Sequence, residues 1–310
     1  MPRFIVSFAA IGTVLALTAQ AQASGTLTRA FVASTGVDTN PCTTAAPCAS
    51  FAKAYTEVVP NGIVAALDPG KYGSLTITGS VTIDGNGWSA ITSPANGTGI
   101  VVAAGSGNVV LRGITVDGAA ATGTQGILYI SGASLTIDGC VVRNMNAGGL
   151  VVGPSAASSL TVTNSSFEND GTGVQIQPSA GGNVFAAFDA TQITGSNVNN
   201  GLLLTGGAAV INVAMTNSVI SNNPAGGVSV SSNQSAASLY LTHVQVTNNP
   251  SVGVQSIGSN ATVWIGQTTI TGNPTHGYNI SNGGAINSFD DNYIADNGSN
   301  SGMLGTAGKQ

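Results

Sequence analysis

A glycine followed by an apolar residue recurs along this chain at Gly99, Gly126, Gly149, Gly173, Gly201, Gly227, Gly253, Gly277 and Gly302, at intervals of 23 to 28 residues. A second apolar series keeps the same beat at Ile83, Val116, Val142, Phe167, Ile193, Ile220, Val246, Ile270 and Ile294. Five residues before that series stand Leu111, Ile137, Val162, Phe188, Met215, Leu241, Ile265 and Phe289, and seven before it Val109, Leu135, Leu160, Ala186, Val213, Leu239 and Val263. Small polar residues separate them, and alternation at period two predicts strands. Two residues after the series come Gly85, Gly118, Asn144, Asn169, Gly195, Asn222, Asn248, Gly272 and Asp296, residue types that tolerate the left-handed backbone of a tight turn. Phased series at one period predict a solenoid whose repeats bury their apolar faces only by stacking. Three short strands and three turns per repeat predict a parallel β-helix of about nine coils, a rod roughly 40 Å long at the ~4.8 Å spacing of paired strands.

The pattern breaks at Ser50 to Val59, where Phe51, Ala54, Tyr55 and Val58 fall on one face of a helix. A first coil left open would expose apolar core and unpaired strand edges, so this helix is expected to lid it. Pro60-Asn61-Gly62 then feeds a strand from Ile63. The segment after Gly302 is too short for a second helical lid, so the last coil is expected to be blunted by its own loop or by another chain, a route to a homo-oligomer through the C-terminal coil. The expected layout is a signal peptide at 1–23, a cap and first strands at 24–75, the β-helix at 76–302 and a tail at 303–310.

Coils such as SLTVTNSSFENDGTGVQI and NVAMTNSVISNNPAGGVSV, with the opening from Ala30 to Gly73, resemble the right-handed parallel β-helix proteins of the pectin-lyase-like superfamily. The resemblance implies an all-β right-handed parallel β-helix with a short N-terminal capping helix. It implies little about activity, because the superfamily includes lyases, hydrolases, esterases and adhesins.

Arg3, an apolar run from Phe4 to Ala19, and Ala21-Gln22-Ala23 before Ser24 read as a secretory signal peptide. A secreted or periplasmic protein without a membrane span is therefore expected. Its net charge of -5 and 6% charged residues argue against nucleic acid, which demands a basic face, and disfavour polyanions. In an oxidising compartment Cys42 and Cys48 are expected to pair, while Cys140, beside the core position Val142, reads as a buried small hydrophobe. Cysteine spacing offers no metal site.

Outward columns of charge carry the candidate chemistry. One residue after the second series stand Asp84, Asp117, Arg143 and Glu168, and four before it Arg112 and Asp138 on adjacent coils. The resemblance implies that polysaccharide-cleaving members use acids and a basic residue on neighbouring coils to hold calcium, abstract a proton or protonate a leaving oxygen. These six residues are the catalytic candidates, with Asp84 and Asp117 the least compensated pair. The competing reading is charge balance along a ladder, each exposed pair being worth about 0.2 to 1 kcal/mol. His276 with Asp290 and Asp291 shares residue types with polygalacturonase-like sites, but the motif order does not match. Tyr240 and Trp264 share an outward column on adjacent coils and could stack on sugar rings.

Two functions follow. The first is an exported, non-catalytic β-helix that presents a Ser/Thr/Asn-rich surface to polysaccharide or a cell-surface glycan, with no cofactor. It is preferred because Lys and Arg are scarce and no catalytic motif is complete. The second is a polysaccharide lyase or glycoside hydrolase acting on the charged N-terminal coils, with calcium required only if it is a lyase. Walls for its cleft would come from Asn86–Gly107 and Gly118–Gly126.

Overall fold

In the computed structural model, which describes residues 25–119 and 122–308, the repeats form a parallel β-solenoid. The expected signal peptide lies outside the described residues. A typical coil runs through three strands, such as Ile211–Thr216, Val219–Ser221 and Val228–Ser232. The third strands form a nine-stranded sheet, and the first and second strands belong to a twenty-stranded one. Residue stacks on residue: Ile211 lies over Ala237, Val213 over Leu239 and Met215 over Leu241. The interior columns Leu111, Ile137, Val162, Phe188, Met215, Leu241 and Ile265 are buried, as are Val116 through Ile270 of the second series.

Two corners carry left-handed backbone in register. One runs through Gly139, Asn164, Ala190, Asn217, His243 and Gln267, and the other through Asn144, Asn169, Gly195, Asn222, Asn248 and Gly272. His243 is thus a corner residue with φ of 54°. The helix Phe51–Glu57 starts at Ser50, whose hydroxyl accepts from the Lys53 amide, and buries Phe51, Ala54 and Tyr55. A Cys42–Cys48 disulfide ties the loop before it. At the far end Gly305–Thr306 pairs with Ala285–Ser288, so the chain's own loop lies along the last coil.

The register corrects three expected positions. Ile83 stacks on Leu111, and Ile91 takes the place beside Val116, because Gly85–Trp88 bulges out of the strand Val81–Thr92. Phe289 leaves the core column to Ser288, which pairs with Ile265 and is buried. One residue more separates Ser288 from Ile294 than separates Ile265 from Ile270. Gly302 packs against Ile280, not over Gly277. The stretch Asn86–Gly107, expected as a loop, is largely strand, including Thr98–Ala103.

The glycine column exists for close approach. A Cβ on Gly126 would stand 2.2 Å from Val142 Cγ1 and 2.6 Å from the Gly149 carbonyl oxygen. Gly139 has φ of 61° but open space around a Cβ, in a column that holds asparagine at Asn164 and Asn217. Thermal denaturation should therefore separate the two: Gly126→Ala lowers Tm by about 4 °C or more through overpacking, whereas Gly139→Asn shifts it by about 2 °C or less.

Candidate functional site

Strand pairing sorts the charged residues into two ladders. Asp84, Arg112 and Asp138 stack in one, and Asp117, Arg143 and Glu168 in the other. Asp84 is therefore not in the column of Asp117, where it was expected; the Gly85–Trp88 bulge moves it beside Arg112. Arg143 Nε donates to Asp117 Oδ2 at 2.9 Å, and Arg112 Nε lies 3.5 Å from Asp138 Oδ2. All four side chains keep substantial solvent contact, which places such pairs at the weak end of ion-pair energies.

The carboxylates repeat one bonding scheme. Asp138 Oδ1 accepts from Thr163 Oγ1 at 2.9 Å and Asn164 Nδ2 at 3.2 Å, both one coil later. Asp189 does the same with Thr216 and Asn217, at 2.7 and 2.8 Å. Asp117 accepts from Arg143 and from Asn144 Nδ2. Thr163 and Asn164 hold the Asp138 carboxyl below its usual range, with Arg112 adding to them. Burial pushes Asp117 up, but Asn144, Arg143 and the Ala119 amide outweigh it and hold that carboxyl low as well. Both carboxylates are ionised and engaged, the reverse of a proton donor poised near neutral pH. Asp84 lies beside Arg112 and Asp117 beside Arg143, each in register on the neighbouring coil, so the two carboxylates stand in different columns. Among the described residues no three of His, Cys, Asp and Glu converge on a metal position. Cys140 is buried, and desolvation pushes its thiol up to about 11, away from nucleophilic use.

Asp170, two residues beyond Glu168, turns inward and belongs to none of the outward charge columns that the sequence shows. It occupies the inward position held by Ser196, Asn223, Asn249, Asn273 and Asn297 on later coils. The asparagines form a continuous chain, buried at Asn223, Asn249 and Asn273: Asn223 Nδ2 donates to Asn249 Oδ1 at 3.0 Å, Asn249 to Asn273 at 3.0 Å, and Asn273 to the half-buried Asn297 at 2.9 Å. Each also donates to a carbonyl on the preceding coil, as Asn249 does to Ile220. Asp170 keeps only half of this. Its Oδ1 accepts from the Met145 amide at 2.8 Å, while its buried Oδ2 makes no hydrogen bond. Burial pushes its carboxyl up to about 8, against the Met145 amide, and the charges of Glu168 and Asp117 push the same way. In the sequence this ladder shows as Asn222-Asn223-Pro224 and Asn248-Asn249-Pro250, where the second asparagine of each pair is the inward one.

A different surface gathers the aromatics. Tyr240 and Trp264 stack in register with ring centroids 5.8 Å apart and planes 5° from parallel, and Phe289 lies 6.1 Å beyond Trp264. They point outward from the sheet of first strands. Before Tyr240 the same column narrows to Thr161, Ala187 and Ala214, and the neighbouring column presents Ser159, exposed Phe185 and Asn212. Together these six line a shallow depression of about 320 Å³. Phe185 was not singled out in the sequence, because it has no aromatic partner at its column position. His276 Nδ1 pairs with the Ser299 carbonyl, and Asp291 accepts from the Gln267 amide.

The family model described as right handed beta helix region matches residues 69–189 and again 98–270. Among solved structures, pectate lyase Pel9A superposes with a TM-score of 0.67 at 17% identity, over 93% of this chain and 80% of that one. Alginate lyase from Paenibacillus sp. str. FPU-7 superposes with a TM-score of 0.60 at 13% identity, over 91% of this chain and 100% of that one. At such identities the likeness is one of fold. Comparison with curated proteins gives no match.

The Asp170 carboxyl titrates near 3.8 when unfolded and near 8 when folded, so the folded state binds more protons across that interval. Its contribution to stability is full below the unfolded value and is lost as pH rises toward 8. Asp170→Asn supplies the missing amide donor and should raise Tm at pH 8.5 by about 3 °C or more, with a smaller gain at pH 5. A variant that melts below the parent at pH 8.5 would refute this account of the ladder.

Proposed function

This chain belongs to the right-handed β-helix family, and from that premise we propose an exported protein that binds polysaccharide or a cell-surface glycan without cleaving it. The observation that carries the reading is the outward, parallel Tyr240–Trp264 pair. Aromatic rings in contact with solvent on a rigid sheet suit the apolar faces of sugar rings. The engagement of Asp117 and Asp138 in ladder contacts supports a structural role for the charged coils. The disulfide Cys42–Cys48 and the amino-terminal apolar run support export. No helix among the described residues is long and apolar enough to cross a membrane.

A second reading is a polysaccharide lyase or glycoside hydrolase working at Asp84, Arg112, Asp138, Asp117, Arg143 and Glu168. The printed names of two structural neighbours, a pectate lyase and an alginate lyase, favour it. The two readings diverge in one assay. Residues 24–310, screened against neutral and uronate polysaccharides with and without calcium, should be retained in affinity electrophoresis while giving neither unsaturated product nor new reducing ends. Trp264→Ala should weaken retention by about tenfold, and Arg143→Ala should leave it unchanged. Product formation that disappears in both Arg143→Ala and Asp117→Ala would establish the enzyme instead.

A further inference from the structure

The basic residues of this chain are Arg3, Arg29, Lys53, Lys71, Arg112, Arg143 and Lys309. Between Arg143 and Lys309 the sequence contains no lysine or arginine, whereas Glu168, Asp170, Asp189, Asp290, Asp291 and Asp296 all fall there. The aromatic face and the depression beside it lie wholly in this cation-free half. A polymer carrying one carboxylate per sugar would meet no counter-charge on that face and a weakly negative background.

What the face does offer is uncharged. The floor of the depression is the methyl groups of Ala187 and Ala214, flanked by Phe185, which is 52% exposed. Tyr240 follows Ala214 directly in the column and is 38% exposed. Since Ala214 is small, the side of Tyr240 that faces it carries no stacked ring, while the opposite side rests on Trp264. Hydroxyl and amide groups from Ser159, Thr161 and Asn212 edge the same depression. Ser238 and Thr262 continue that edge past Tyr240 and Trp264. Apolar surface in the centre and neutral hydrogen-bonding groups along one side match a pyranose ring, with its C–H faces and its rim of hydroxyls. The column runs along the solenoid axis from Thr161 to Trp264, so the complementary ligand is a chain laid lengthwise over several coils.

We infer that the outer face from Phe185 to Trp264 binds an uncharged pyranose polymer, aligned with the solenoid axis, and discriminates against uronate polymers. This rests on the polysaccharide-binding reading and narrows it to a substrate class and a location away from the charged coils.

Affinity electrophoresis and titration calorimetry with soluble mixed-linkage β-glucan, galactomannan, polygalacturonate and alginate, each at low and high salt, test it. The expected result is binding of at least one neutral polymer, insensitive to salt, with little or none of either uronate. Phe185→Ala and Tyr240→Ala should each weaken that binding by about tenfold, and Ala214→Glu, which places a charged side chain on the floor, should abolish it. All three positions are outward, and unchanged circular dichroism and Tm would confirm that the coils stay folded. Preferential uronate binding that salt weakens, or neutral binding that survives Phe185→Ala and Tyr240→Ala together, would overturn the inference while leaving the polysaccharide reading intact. Failure of every polymer to bind would overturn both.

Discussion

Backbone pairing between successive coils is the interaction on which everything else in this molecule rests. An interior strand can satisfy its N–H and C=O groups only on the coils before and after it, so the strands must lie in register. Register in turn gives every side chain the environment of its column. The glycine column shows how tight that constraint is: Gly99, Gly126 and Gly173 sit where a Cβ would run into the apolar residue of the second series, Val116, Val142 or Ile193. The core residues close on the glycines, and no larger side chain fits without moving a coil.

Polar groups obey the same rule. Inside one corner the amides of Asn223, Asn249, Asn273 and Asn297 satisfy each other and the carbonyls beside them, so a buried polar column becomes a continuous network. Outside the adjoining corner, Asp138 and Asp189 each receive a threonine and an asparagine from the next coil. Single contacts of this kind are weak, but repetition along the stack makes each one reinforce the same register. Asp170 marks the place where the inner network is incomplete, since a carboxylate cannot supply the donor that an asparagine supplies at that position.

The solenoid was legible because stacking converts a three-dimensional packing problem into a sequence period. The second series from Val116 to Ile294, the Phe51–Glu57 helix and the outward Tyr240–Trp264 column were all readable by counting. Counting failed where a coil departs from the common length. The four residues Gly85–Trp88 bulge outward and displace Asp84 by a whole column, and one added residue near the end exchanges Phe289 for Ser288. The inward direction of Asn223 and its relatives was hidden for another reason: asparagine at a corner serves left-handed backbone and a buried ladder equally well, and only the position one residue after Asn222 distinguishes them. Phe185 was invisible because a binding surface can be built from one aromatic and two alanines on different columns, which leaves no periodic trace.

The distribution of charge divides the rod into two regions with different chemical reach. The early coils carry Arg112 and Arg143, but each guanidinium faces a carboxylate on a neighbouring coil. An arginine committed in this way is a poor clamp for an incoming carboxylate, because the ligand must first displace an intramolecular partner. The later coils lack cations and carry aromatic and small residues on a sheet whose backbone is fixed from both sides. A ligand on that face would meet shape, stacking surface and neutral hydrogen-bonding groups, interactions that salt does not screen. A rigid ladder also holds Phe185, Ala214 and Tyr240 at fixed separations, so a ligand docking there would order no loop and the entropy of association would fall mainly on the ligand.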